Sequence, residues 1–258
     1  MEIAIIGAGN VAIQMGKALS EAGHTIRQVW SRTPAHAEAV AGELGAVALT
    51  ELGKISPGAD FYIFCVKDDA LTKVIDCMPD TGGVWVHTGG SLSMELFAGR
   101  TTNYGVLYPL QTFSRRRSLS FAEIPLFVEG NHQETTTNLE QLARTLSRSV
   151  YRMPEEKRKK LHLAAVFACN FVNHLYARSA EIIGQEIPFD LLLPLIRETA
   201  AKLEEMPPLE AQTGPAMRGD LKVMRQQLEQ IVDPRTREIY RLLSESIAET
   251  TKRNNMLS

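Results

Sequence analysis

Six residues near the start of the chain, Gly7-Ala8-Gly9-Asn10-Val11-Ala12, have the types and spacing to cradle a phosphate chain. They follow an apolar run at Glu2–Ile6 that reads as a strand, and they open a helical stretch from Asn10 to Ala22. In such a turn Gly7 permits the sharp exit from the strand. Gly9 lets backbone approach a pyrophosphate, and Ala12 lets the helix pack close to the sheet. The pyrophosphate would then face the free N–H groups of Gly9, Asn10 and Val11 at the positive end of the helix dipole. The spacing is the GxGxxA form of the dinucleotide fingerprint.

The end of the next strand decides which dinucleotide. A site for the unphosphorylated cofactor places Asp or Glu there to accept from both ribose hydroxyls. This chain has Ser31-Arg32-Thr33 instead. A carboxylate would repel a 2′-phosphate, whereas a guanidinium forks onto it and hydroxyls donate to it. The expected cofactor is NADP(H).

Ligands in open α/β sheets bind outside the carboxyl ends of the strands. His87-Thr88-Gly89-Gly90-Ser91 ends one strand, its two glycines leaving backbone open to a ligand, and Tyr108-Pro109-Leu110-Gln111 ends another. Thr88, Gly89, Ser91, Tyr108 and Gln111 are therefore candidates for holding substrate, and His87 for moving a proton.

The elements that must position these residues alternate. Glu2–Ile6, Thr25–Ser31, Phe61–Val66, Val84–His87, Tyr104–Tyr108, Ile124–Val128 and Val150–Met153 read as strands, and Phe61–Val66 is apolar throughout, as in a parallel sheet buried on both faces. Helical patterns fall at Asn10–Ala22, Pro34–Leu44, Asp69–Met78 and Glu134–Leu146. Alternation of this kind predicts an α/β, doubly wound, Rossmann-type parallel sheet. From Glu155 strand signals vanish, and four helical segments follow: Glu155–Gln185, Asp190–Met206, Ala216–Val232 and Thr236–Lys252. Prolines at 188, 207, 208 and 234 separate them. The expected division is a dinucleotide-binding domain over residues 1–153 and an all-helical domain for substrate and dimerisation over residues 154–258.

Composition narrows the class. A net charge of −2 with 22% charged residues gives no global field toward nucleic acid or an anionic membrane. Arg115 to Arg117, the densest basic run, reads as a solvated loop rather than an anion-binding patch. Cys65, Cys77 and Cys169 show no CxxC spacing and lie in apolar segments, so reduced, buried thiols are expected and no metal site. No stretch has the pattern of a signal peptide or a membrane span, and a cytoplasmic protein is expected.

Gly7–Ala12, Ser31-Arg32-Thr33, His87–Ser91, Tyr108-Pro109-Leu110-Gln111-Thr112-Phe113 and Thr213-Gly214-Pro215-Ala216-Met217-Arg218-Gly219-Asp220 together resemble a bacterial NADP oxidoreductase family. That family joins a Rossmann-like domain to a helical domain of unknown function. The resemblance covers nearly the whole chain. Its fold relatives are pyrroline-5-carboxylate reductase, the β-hydroxyacid and prephenate dehydrogenases and the deazaflavin-dependent NADP oxidoreductases.

The resemblance implies that Val66 and Lys67 lie alongside the cofactor. Tyr108 stands where prephenate dehydrogenases are similar but carry a histidine, which counts against a prephenate-type reaction. Hydroxyacid dehydrogenases carry a catalytic Lys on the first long helix of the second domain, with an Asn four residues on. Here Asn170 and Asn173 are preceded at that spacing by Val166 and Cys169, and the lysine is absent.

His162 is the nearest ionisable substitute, about 12 Å before Asn170 on a helix, and Asn173 returns to within about 20° of its face. A carbonyl or imine reduction needs an acid as hydride arrives, so His162 or His87 is the expected donor, each weighed equally against a packing role. His24, His36, His132 and His174 read as solvent or packing residues. Arg218 could fork onto an anionic substrate or cofactor, or belong to the cap and ion pair that start the third helix. The reading is an NADP(H)-dependent oxidoreductase acting on a carbonyl, imine or hydroxyacid between its domains, as a homodimer. The alternative is a non-catalytic NADP(H)-binding or redox-sensing protein.

Overall fold

The structure, a computed structural model, describes residues 1–256 except Arg116 and Ser118. Its strands form one sheet in the order β3-β2-β1-β4-β5-β6-β7-β8. These are β1 (Glu2–Ile6), β2 (Thr25–Trp30), β3 (Val47–Leu49), β4 (Phe61–Phe64), β5 (Val84–His87), β6 (Tyr104–Pro109), β7 (Leu126–Gly130) and β8 (Val150–Arg152). All pairs are parallel except β6 with β7. The chain leaves β1 for one side of the sheet and β4 for the other. The β1/β4 border is therefore the switch point where a crevice opens.

Strand residues alternate between two cores, because successive side chains point to opposite faces. Ile3 and Ile5 of β1, Phe61 and Ile63 of β4 and Val84 and Val86 of β5 join one cluster. It also takes in the inner faces of α1 (Asn10–Glu21), α2 (Pro34–Leu44) and α4 (Gln133–Leu146). Ala4, Ile6, Tyr62, Phe64 and Trp85 join the other, with Leu71, Val74 and Ile75 of α3 (Asp68–Asp76). The β6–β7 pair departs from the expected parallel sheet. The chain between them runs as a loop with one short 3-10 turn at Phe121–Glu123, and an antiparallel pair needs no crossover helix. β3 was absent from the expected strands, being three residues long at the sheet edge.

The contact pattern divides the chain into Met1–Cys169 and Asn170–Ser258. The first unit ends with α5 (Glu155–Ala165) and the start of a π-helical segment, Val166–Phe171. The second contains α6 (Val172–Ile183), α7 (Leu193–Glu205), α8 (Pro215–Arg218), α9 (Leu221–Gln230) and α10 (Pro234–Asn255). The helix expected over Ala216–Val232 is thus two helices. Gly219, at φ +69°, ends α8, and the Asp220 side chain then caps α9 by accepting from the Val223 N–H at 3.2 Å. Among the described residues no helix is long and apolar enough to cross a membrane.

Candidate functional site

The turn after β1 carries the backbone that the fingerprint requires. Gly7 sits at φ +130°, and a Cβ there would lie 2.5 Å from the Cys65 carbonyl oxygen, so only glycine lets β1 and β4 end side by side. Gly9 caps α1 without a side-chain hydrogen bond, and the first turn of α1 has no acidic residue. Its orphan N–H groups are available to an anion. Ala12 is fully buried against the sheet, as close helix packing demands, and Val11 packs partly against the same core.

Above this turn lies a cavity of about 610 Å³. Gly7, Ala8 and Gly9 form its floor, Ser31, Arg32 and Thr33 come from the end of β2, and Val66 and Lys67 from the end of β4. Lys73, Arg115 and His36 line it as well, and among the described residues no lining residue is a carboxylate. Among the described residues none of Arg32, Lys67, Lys73 and Arg115 makes an ion pair within the chain. Four unmatched cations around glycine backbone, in a chain of net charge −2, suit a ligand bearing several phosphate charges. The residues fit NADP(H): Gly7–Val11 could hold its pyrophosphate, and Ser31, Arg32 and Thr33 its 2′-phosphate.

Two lining residues depart from the sequence reading. His36 lines the cavity rather than standing apart from it, because α2 starts directly after Thr33. Arg115 is not simply a solvated loop residue, since its Nη2 donates to the Ala8 carbonyl at 2.6 Å. Arg116, from the same run, lies outside the described residues. The Asn10 side-chain amide is engaged by the Phe113 carbonyl, to which it donates at 2.9 Å.

Further along the same sheet edge, β5 and β6 end in a second cluster. The Tyr108 hydroxyl lies 2.9 Å from Nδ1 of His162 on α5. Both rings close over Gly90, where a Cβ would meet His162 Nδ1 at 2.5 Å and Tyr108 Cζ at 2.8 Å. Burial raises the Tyr108 pKa, an effect only partly opposed by the nearby Arg158 charge, so the hydroxyl keeps its proton. Arg158, wholly buried, holds the turn from beneath. Its Nη1 donates to the Gly89 and Gly90 carbonyls at 3.0 Å each, and Nη2 lies 3.5 Å from Glu129. Sequence reasoning missed Arg158, whose partners are 29 to 69 residues away.

His87, the other expected acid, is corrected by its surroundings. It is 1% exposed, and its Nδ1 accepts from the Gly89 N–H at 3.1 Å. Burial first, and then the Arg158 charge, push its pKa down to about 4. An imidazole neutral at pH 7 and shut away from solvent is a packing group. Cys65 is equally inert: burial pushes its thiol up to about 12 despite a hydrogen bond with Thr88. Cys77 proves exposed and Cys169 half-buried, where buried thiols were expected.

Thr88 is half-buried, its N–H and hydroxyl both directed at the Phe64 carbonyl. The exposed Ser91 hydroxyl donates to Asp68 at 2.8 Å. Gln111 is exposed and accepts from the Thr112 N–H at 2.8 Å. Asn170, Asn173 and Arg218 are exposed residues of the second unit. The wheel that put Asn173 on the face of His162 assumed an unbroken α-helix, and the π segment between them does not keep that phase. Among the described residues no three His, Cys, Asp or Glu side chains gather to hold a metal.

Comparison with known proteins agrees with this geometry. Residues 2–85 match the family model described as "NADP oxidoreductase coenzyme F420-dependent", and residues 124–247 match a domain of unknown function. A Bacteroides fragilis protein described as a "putative NADP oxidoreductase" is 44% identical, with 96% of this chain and 98% of that chain covered and a TM-score of 0.90. A 1-pyrroline-5-carboxylate reductase from Streptococcus pyogenes shares the fold at 14% identity, 96% and 98% coverage and a TM-score of 0.63. So does an imine reductase from Myxococcus stipitatus in complex with NADP+, at 16% identity, 100% and 95% coverage and a TM-score of 0.63. No curated protein matches the chain.

Proposed function

Because the chain belongs to the NADP oxidoreductase family of the Bacteroides fragilis protein, we propose that it transfers hydride between NADP(H) and a small polar substrate, a carbonyl, imine or hydroxyacid, with Tyr108 and His162 handling the proton. The observation that carries this reading is the Tyr108–His162 hydrogen bond of 2.9 Å over Gly90, at the ends of β5 and β6. It stands on the same edge of the sheet that bears the cation-lined cavity at the ends of β2, β1 and β4. When bound, the reduced cofactor supplies hydride to the substrate carbon.

Each residue then has its own role. In the reducing direction Tyr108 gives its hydroxyl proton to the substrate oxygen or nitrogen as the carbon gains hydride. His162 Nδ1 holds the phenol oxygen in place and returns a proton to it. In the oxidising direction the same pair accepts the proton of the substrate hydroxyl or amine. Arg158 fixes the Gly89 and Gly90 carbonyls, so the turn beneath the pair does not drift. We also infer that residues 1–153 bind the dinucleotide and that residues 154–258 serve substrate selection and pairing of two copies.

A panel of carbonyls, imines and hydroxyacids, followed by NADPH absorbance, tests the reading. One substrate class is expected to turn over. Tyr108→Phe is then expected to lower kcat by about a hundred-fold or more while NADPH affinity stays unchanged. Turnover that survives Tyr108→Phe would remove the proton assignment. Tight NADPH binding with no turnover of any class would replace the enzyme with a non-catalytic binding protein.

A further inference from the structure

The loop that follows β6 folds back onto the glycine turn and the start of α1 through hydrogen bonds. Asn10 holds the Phe113 carbonyl at 2.9 Å, and the buried Gln14 amide holds those of Ser114 at 2.9 Å and Arg117 at 3.0 Å. Between these anchors Arg115 reaches the Ala8 carbonyl at 2.6 Å and lines the cavity beside Gly7 and Gly9. A guanidinium carries five N–H donors, and among the described residues Ala8 takes only one of Arg115's. No carboxylate of the described residues pairs with it.

We propose that Arg115 is a cofactor-binding residue that clamps the pyrophosphate of the dinucleotide beside the Gly7–Gly9 turn. The proposal rests on the NADP(H) reading above and adds a residue to it. The Ala8 carbonyl belongs to the turn between Gly7 and Gly9, so the fork is pinned at the pyrophosphate cradle. Arg32 stands elsewhere, at the end of β2. The two arginines therefore divide the anion between them, Arg32 the 2′-phosphate and Arg115 the bridge. Asn10 and Gln14 do not reach for the ligand but keep the loop seated, so that the guanidinium arrives already oriented.

This division makes a prediction that distinguishes the two cations. NADPH and NADH share the pyrophosphate and differ at the 2′ position. By calorimetry on the full-length protein, Arg115→Ala is expected to raise Kd for both cofactors by the same factor, about ten-fold or more, leaving their ratio unchanged. Arg32→Ala is expected to raise Kd for NADPH alone and so collapse the preference. Arg115→Lys, which keeps the charge without the fork, should fall between wild type and Ala.

The thermal midpoint of the free protein reports whether the loop stays seated. If Arg115→Ala lowers it, the Lys variant decides, and Lys at wild-type midpoint and wild-type affinity overturns the clamp. Equal wild-type and Arg115→Ala affinities overturn it as well, as does a loss confined to NADPH, which would put Arg115 at the 2′-phosphate. Failure of the wild-type chain to bind either cofactor would instead strike the NADP(H) reading itself.

Discussion

His87 shows how burial turns a reactive residue type into a structural one. Its ring ends β5 against Phe97, with centroids 5.9 Å apart, and accepts a backbone N–H through Nδ1. The folded pKa of about 4 lies below the ordinary 6.5. Between those values the unfolded chain binds a proton that the folded chain refuses, so stability falls as pH drops from about 6.5 toward 4. At roughly 1.4 kcal/mol per pH unit, one such group costs about 3 kcal/mol across that window. Urea unfolding at pH 7 and pH 5 crosses the upper part of that window and should show about 2 kcal/mol of it in the wild type. His87→Asn keeps an acceptor for the Gly89 N–H and lacks the titration, so it should lose clearly less. His24, whose pKa is also lowered, remains in both proteins and cancels from the difference. An identical pH slope in wild type and variant would contradict the burial argument. From the sequence, His87 and His162 were equivalent candidates. What separates them is a neighbourhood assembled from residues far apart along the chain.

At the scale of elements, the glycine turn, every strand but β3 and all four helices of the sheet region were legible, because period and punctuation agree there. Pro34 opens α2 and Gly45, at φ +65°, closes it. The strand at Ile124–Val128 was read, as β7, but its antiparallel direction was not legible, since a strand's alternation is the same in either direction. Nor was the π segment, where Val166–Phe171 keeps an apolar helical composition. The Tyr108–His162 pair escaped because it joins β6 to α5 across 54 residues. Arg158, at the root of that junction, carries the testable consequence. Removing it as Arg158→Met would leave the Gly89 and Gly90 carbonyls without a donor and the partly buried Glu129 without a counter-charge. Breaking a buried pair from one side costs about 3–5 kcal/mol, and a urea midpoint should register it. A loss below about 1 kcal/mol would mean that α5 does not depend on this anchor.

The whole molecule is unevenly packed. Every hydrophobic cluster of the described residues lies within Met1–Cys169. Among the described residues of the second unit only Ala216 and Ile231 are buried apolar residues, while Ile182, Ile187, Leu191, Leu195, Leu203 and Leu242 are at least half exposed. Helices of this composition ordinarily bury such a face, and apolar surface on this scale marks an interface. The requirement is permanent, because it comes from the helices of the fold itself and not from an added patch. A second copy of the chain is the partner that is present in matching amount whenever the protein is made, and a two-fold interface lets one surface satisfy its own twin. We therefore expect light scattering at micromolar concentration to give twice the 28.6 kDa chain mass. Leu195→Glu, which sets a carboxylate into the exposed face of α7, should shift the protein toward monomer or toward aggregation. NADPH affinity, which the proposed reading assigns to the first unit, should change little in any monomer that remains soluble. A wild-type monomer with an ordinary two-state thermal transition would refute the pairing, since it would show that these helices stand without a partner.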